Sequence, residues 1–401
     1  MRFSRREFLQ IAGAGVIADR AADPVAQRAA DLIRAYSAEG FHRTATDVDR
    51  VSADHLRHAV AATGARGTLE PFELERVDPG KAFLDIDGRR LTGLPMFDGP
   101  FTTVDGIRGT IGAAGGPDPI GWTRIPPNGE IALRRIREGS THRAIVAVTT
   151  GDHPGLCPVN AQYFDEPFGP PVLLLGSTAS DAVAEAARQR STVWLVAHAT
   201  RTRATAFNVV ADVPGRRPEL APLCVMTPRS GWHYNAAERG GGLVCWLEVL
   251  RAVTAARPAR GAKFVASSGH ELGHLGLHDY LRRSGTLAGD ASVWLHFGAN
   301  IGAAGGRPAA LTCSDPAFED AVARAFAAAP DLYRVNRVPP DQVRGEAATI
   351  REGGGRFISF IGQNAWFHNT GDRWPDAVDV AAVARFAKAS AALAVALSSA
   401  P

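Results

Sequence analysis

Polar and apolar positions change rhythm three times along the chain. From Pro24 to about Gly64 apolar residues recur at helical spacing, as in Leu32-Ile33 and later Leu56 with Val60. From Gly67 to Leu94 the rhythm alternates, as in Phe72-Glu73-Leu74-Glu75-Arg76-Val77, which predicts strands. Near Phe97 short apolar runs start to alternate with Gly and Pro turns. Gly106 to Ile111, Ala144 to Val148 and Pro171 to Leu175 read as strands, Ala179 to Arg190 as a helix, and Thr192 to Ala199 as another strand. This texture predicts a small β-rich module over residues 97–205.

After residue 205 the pattern becomes strand–helix–strand. Ala206 to Val213, Ala221 to Met226, Ala262 to Ser267, Ser292 to Ala299 and Arg356 to Ile361 read as strands. Gly242 to Ala256 reads as an amphipathic helix, and Pro316 to Ala329 and Val378 to Ser398 as further helices. The alternation predicts an α/β fold, a three-layer αβα domain with a mainly parallel sheet, made from residues 23–96 and 206–401 and interrupted by the β-rich module. Sites in such sheets gather at the carboxyl ends of the strands. Thr227 to Gly242, Ser267 to His278 and Asn364 to Asp372 follow strands and are the candidate site loops.

Composition narrows the function classes. The 401 residues are 45% hydrophobic and 21% charged, which excludes a disordered, collagenous or coiled-coil chain. A net charge of +3 without a long basic run gives no reason to expect a nucleic-acid partner. No uninterrupted apolar run reaches the ~18 to 20 residues of a membrane span, so none is expected. Ser4-Arg5-Arg6-Glu7-Phe8-Leu9, followed by apolar Ile11 to Ala18, looks like a twin-arginine export signal. Residues 1–22 are therefore set apart from the fold, and a periplasmic or secreted location is expected. Cys157, Cys224, Cys245 and Cys313 form no CxxC pair, so no cysteine-based zinc site is suggested. Export would permit one or two disulfides, but Cys224 and Cys245 lie in apolar runs and read as buried small hydrophobes.

The sharpest motif is His270-Glu271-x-x-His274. On a helix, that spacing puts two imidazoles on one face, where they can hold one metal ion while the glutamate takes a proton. The extended metzincin form would need a histidine at position 280, where Tyr280 stands. The strand Ala262 to Ser267 ends just before the motif, which places His270-Glu271 on the turn leaving it.

The flanks carry a resemblance. Lys263 to Gly276 resembles the segment of M28-family (aminopeptidase-type) zinc peptidases in which a buried strand ends in a Glu-Glu pair. Phe207 to Gly215 is similar to the strand entering the peptidase domain after its insert. Glu238-Arg239-Gly240-Gly241-Gly242, with the helix through Trp246-Leu247-Glu248, resembles the metal-bridging loop. Phe367 to Asp372 resembles the segment supplying the last histidine ligand. The β-rich module resembles a protease-associated (PA) domain. The resemblance runs over about residues 25 to 401 and implies hydrolysis of a peptide or amide bond, with zinc as cofactor and a peptide or small amide as partner.

That family holds two zinc ions with His, Asp, Glu, Asp and His and uses a separate glutamate as base, and this sequence departs at most of those positions. Thr227-Pro228-Arg229 stands for the first His-x-Asp, Glu238 for the bridging Asp, His270 for the base and Glu271 for its neighbour, with Ala299 or Asn300 near the later Asp. Only His368 is kept. The resemblance then implies one ion rather than two, drawn from Glu238, His270, Glu271, His274, His296 and His368, with Glu271 or His270 as base. Arg229 and Arg239 either fill vacated charge or clamp a substrate carboxylate. His233 imitates a family ligand but lies close before Glu238. Trp232 and Trp366 flank the site loops as candidate pocket walls, and Asp372 either orients His368 or caps a turn. The alternatives are a binding protein that has lost catalysis and a metal-free hydrolase.

Overall fold

In a computed structural model describing residues 23–399, the chain runs through two helices, α1 (Pro24–Glu39) and α2 (Asp47–Ala61), into a long strand, β1 (Gly67–Ile86). There follow β2 (Arg89–Pro95), β3 (Ile107–Ala113), β4 (Ile120–Ile125), α3 (Glu130–Arg137), β5 (Ala144–Thr149), β6 (Val172–Leu175), α4 (Ser180–Arg188) and a second long strand, β7 (Thr192–Val213). The rest is β8 (Leu223–Pro228), α5 (Ala236–Ala256), β9 (Ala262–Ser267), α6 (Leu275–Arg283), α7 (Leu287–Asp290), β10 (Val293–Phe297), β11 (Ala309–Cys313), α8 (Ala317–Ala325), β12 (Tyr333–Val335), α9 (Glu346–Glu352), β13 (Phe357–Ile361) and α10 (Val380–Ser399).

β1 and β7 pair antiparallel along almost their whole length, from Gly67 opposite Ala211 to Ile86 opposite Val193. Their outer halves belong to a closed circuit of strands, β1-β2-β6-β5-β4-β3-β7, whose apolar cluster includes Ile120, Val146, Leu173 and Leu195. The inner half of β7 joins a second sheet in the order β7-β9-β8-β10-β13-β11-β12. Alternation predicts two strands here, Thr192 to Ala199 and Ala206 to Val213, but the structure has one. The polar stretch between them stays extended because its backbone is paired to β1, and its Thr and Arg side chains sit where neither core claims them.

The β9–β8, β8–β10 and β10–β13 links are parallel, so the carboxyl ends of all four strands open on one edge. β7 and β11 run antiparallel at the flanks. α5 packs against this sheet under α1 and α10. It is buried from Ala236 to Leu250, not amphipathic as its residues suggest, because two further helices cover its outer side. Gly241 explains how closely it sits: a Cβ there would collide with the Ile301 carbonyl.

α10 is 20 residues long and includes an 18-residue stretch of mean hydropathy 1.7, enough by length and composition to cross a membrane, although Arg385 and Lys388 interrupt its apolar run. It packs Val383, Phe386, Leu393 and Ala394 into the main core. The four cysteines are all free, and Cys224 and Cys245 are buried. The twin-arginine segment lies outside the described residues.

Candidate metal centre

Three side chains converge at the carboxyl edge of the sheet. His270, His274 and Glu346 each offer one donor atom, and these atoms lie within 4.8 Å of one another. The turn that achieves this is not the helix the motif suggests. His270–Leu272 is a single 3₁₀ turn flanked by Gly269 (φ +87°) and Gly273 (φ +76°), and His274 is itself left-handed (φ +63°) before α6 begins. Gly273 brings the chain against the backbone of Gln162, where a Cβ would stand 2.7 Å from its carbonyl oxygen.

Each member is oriented by a second group. His270 Nδ1 lies 2.6 Å from Glu346 Oε1 and donates to that carboxylate, and an ion held by both groups would take the place of this hydrogen. His274 Nδ1 lies 3.1 Å from the Thr349 hydroxyl. His296, on β10, has Nε2 3.2 Å from Glu346 Oε2 and Nδ1 2.8 Å from Ser359 Oγ, its register partner on β13. Burial pushes the Glu346 carboxyl up, but the His270 imidazole, with the hydrogen bonds from His270 and His296, outweighs it and holds it well below its ordinary value of 4.5. Burial lowers His274 to about 4, leaving it a neutral donor at pH 7.

Glu271 turns away from this group. Its Oε1 accepts from the Thr44 backbone N–H (2.7 Å) and hydroxyl (2.8 Å), and its Oε2 from the Ser230 hydroxyl (2.7 Å). Arg229 is equally committed: it pairs with Asp49 at 2.9 Å and donates to the Asp49 and Phe207 carbonyls, with both charges about 1% exposed. It supports the loop after β8 and does not stand at a mouth. Where the resemblance places the first His-x-Asp, the structure has a hydrogen-bonded plug of Thr44, Asp49, Arg229, Ser230 and Ser268.

Beside the plug lies a second buried group. Glu238 Oε1 is 2.7 Å from Arg239 Nη2 and 3.5 Å from His368 Nε2, and all three side chains are fully covered. Arg239 Nε donates to the Ser230 carbonyl (2.7 Å). Asp372 accepts from the backbone N–H groups of Ala237 (2.7 Å) and Glu238 (2.9 Å), so it caps α5 and does not orient His368. Burial raises its carboxyl to about 7. His368 is oriented instead by the Pro158 carbonyl, which accepts from Nδ1 at 2.6 Å. Burial pushes Glu238 up, yet the Arg239 guanidinium and His368 hold it down at about 2. His233 is buried with neither ring nitrogen hydrogen-bonded, and burial lowers it to about 4. Asn235, His274, Asn300 and His368 are all left-handed, a concentration of backbone strain in the site loops.

A strap from the β-rich module closes this edge. The irregular stretch 152–164 touches all three site loops. Ala161 N–H donates to the Glu271 carbonyl (2.8 Å), the Trp232 indole donates to Asn160 (2.9 Å), and the His153 ring stacks on Trp366 at 3.5 Å. Trp232 is therefore buried packing, edge-on to Phe97, while Trp366 is half-buried under the strap. Glu130, at the start of α3 in the same module, senses the charges of His368 and His270, and burial raises its carboxyl above the ordinary value of 4.5.

No family model matches the sequence, and no curated protein resembles it. Solved structures do. The aminopeptidase from Aneurinibacillus sp. strain AM-1 superposes with a TM-score of 0.72 over 94% of both chains at 15% identity. BSAP, a zinc aminopeptidase from Bacillus subtilis, gives 0.73 at 14% identity over 92% of this chain and 94% of its own. The fold is that of the M28-type zinc peptidases. A peptidase M28 precursor from Shewanella amazonensis agrees, with a TM-score of 0.72 at 16% identity over 94% of this chain and 95% of its own.

On this M28-type fold the donor set of two imidazoles and a carboxylate suits zinc. Of the sequence-derived residues, the structure brings together His270 and His274, with His296 behind them, and in a second group Glu238, Arg239 and His368. Glu271, Arg229, Trp232 and Asp372 lie apart, each satisfied by protein. Glu346 has no motif around it and was not in the sequence-derived set; Gly345-Glu346 before Ala347 and Ile350 signals a helix start and nothing more.

Proposed function

We propose that this chain is a metal-dependent hydrolase of peptide or amide bonds, using one zinc ion held by His270, His274 and Glu346. The convergence of those three donors within 4.8 Å carries the reading, and the fold supports it. Zinc there would supply a Lewis acid that polarises a carbonyl. His296 and Thr349 hold the donors in register. Glu271 faces Thr44 and Ser230, away from these donors, and serves the loop packing instead. The residues 1–22 would deliver the protein folded to the periplasm or outside.

Metal analysis of protein lacking residues 1–22 tests this. We expect about one zinc per chain, lost in His270→Ala and Glu346→Gln. Hydrolysis of a peptide-amide panel should be lost with the ion in both variants. A metal-free wild type after zinc supplementation would sink the reading. The commitment of Glu271 favours one alternative, a binding protein without turnover; it would keep the zinc and hydrolyse nothing on the panel.

A further inference from the structure

The Glu238–Arg239–His368 group is an anomaly of buried polarity. Glu238 Oε1 meets Arg239 Nη2 and His368 Nε2 only at ion-pair distances, and Glu238 Oε2 and Arg239 Nη1 have no hydrogen-bond partner among the described residues although fully covered. Buried polar atoms are rarely left so, and several together mark a place built around charge.

Tautomer and geometry say which charge. His368 gives its Nδ1 hydrogen to the Pro158 carbonyl, so Nε2, 3.5 Å from a carboxylate oxygen, is the atom through which the ring could bind a cation. Two lone-pair atoms at that separation, imidazole and carboxylate, are what a divalent cation seeks. The cation already present is Arg239, 2.7 Å from the same oxygen and anchored through Nε to the Ser230 carbonyl. Its planar fork is always protonated. A divalent ion entering beside it would meet like charge at close range with little water to screen it.

We infer that the Arg239 guanidinium is a built-in cation, seated on Glu238 beside His368, that excludes a divalent ion from that pair. The inference extends the proposed metal reading, because it limits the chain to one ion. Arg239 is then a positioning residue: it fixes a positive charge and unpartnered N–H donors beside the zinc site instead of binding carboxylate at an open mouth.

Metal stoichiometry after equilibration with excess cobalt, followed by its visible absorption, tests this apart from activity. Wild type should saturate at about one ion per chain and Arg239→Lys likewise, since both keep the charge. Arg239→Met should rise to about two, and Arg239→Met with His368→Ala should fall back to one. Two ions in wild type, the second lost in His368→Ala, would overturn the inference, as would Arg239→Met that stays folded by circular dichroism yet binds no additional ion. Should Arg239→Met fail to fold, Arg239→Gln, which removes the charge and keeps an N–H donor, takes its place, and a single ion there would likewise overturn the inference. If wild type binds none while Arg239→Met gains one that His368→Ala abolishes, the His270 centre fails and this inference stands.

Discussion

His42 shows how a single ring couples the N-terminal segment to the site. It stacks on Tyr36 at 3.7 Å, donates from Nε2 to the Tyr36 carbonyl (2.9 Å), and has Glu39 3.8 Å away. Burial lowers it to about 3 from an ordinary 6.5. The unfolded chain therefore takes a proton at a pH where the folded one refuses it. The resulting stability is complete above pH 6.5 and drains away as the pH falls toward 3. Thermal melts should show a steeper loss below pH 6.5 in wild type than in His42→Phe, which keeps the stack and cannot titrate; equal slopes would refute it. Residue types were the most legible part of the site. His270, His274 and His368 are visible in their motifs, whereas Glu346 reaches His270 from 76 positions away. The two arginines look alike in sequence, yet Arg229 meets Asp49 and Arg239 meets Glu238. No local pattern specifies such tertiary partners.

Elements were legible where one core claimed them. β9 spans Ala262 to Ser267, as its apolar run suggests. The strand β7 was split in reading because Thr200 to Arg203 breaks its apolar alternation, although Ala199, Ala204 and Ala206 pack on a cluster with Phe72, Leu74 and Val77, and α5 begins at Ala236, before the apolar run, because Asp372 from a distant loop caps it. The motif His270-Glu271-x-x-His274 kept its two histidines together through left-handed turns, an outcome that spacing cannot distinguish from a helix. α5 itself offers a test. Gly241→Ala pushes a methyl group into the Ile301 carbonyl, and the helix must shift with Glu238 and Arg239 on its first turn. Chemical denaturation should register a loss of about 1–3 kcal/mol. A neutral result would mean α5 has slack that its complete burial denies.

At the scale of the whole molecule, the loops around His270 and the strap come from different parts of the chain. Asn160→Ala removes the acceptor for the Trp232 indole. Hydrogen exchange at the Ala161 amide, which now donates to the Glu271 carbonyl, should then speed up several-fold. An unchanged rate would mean the strap is held by its other contacts alone. The order of layers was readable, and so was the β-rich texture of the middle of the chain; its closure over the site was not, because 152–164 has no periodic pattern and is placed by what it touches.

The continuous β1–β7 ribbon has a consequence for how such a protein can be taken apart. Cutting out residues 97–205 would sever β7 mid-strand and leave the outer half of β1 with a bare row of N–H and C=O groups. That edge would recruit other chains, and His368 would lose the carbonyl that aims it. The module is not a cassette to be exchanged at its loops. Any recombination that keeps the chemistry must cross within the ribbon, at matched positions on both strands, so the two bodies are inherited as one.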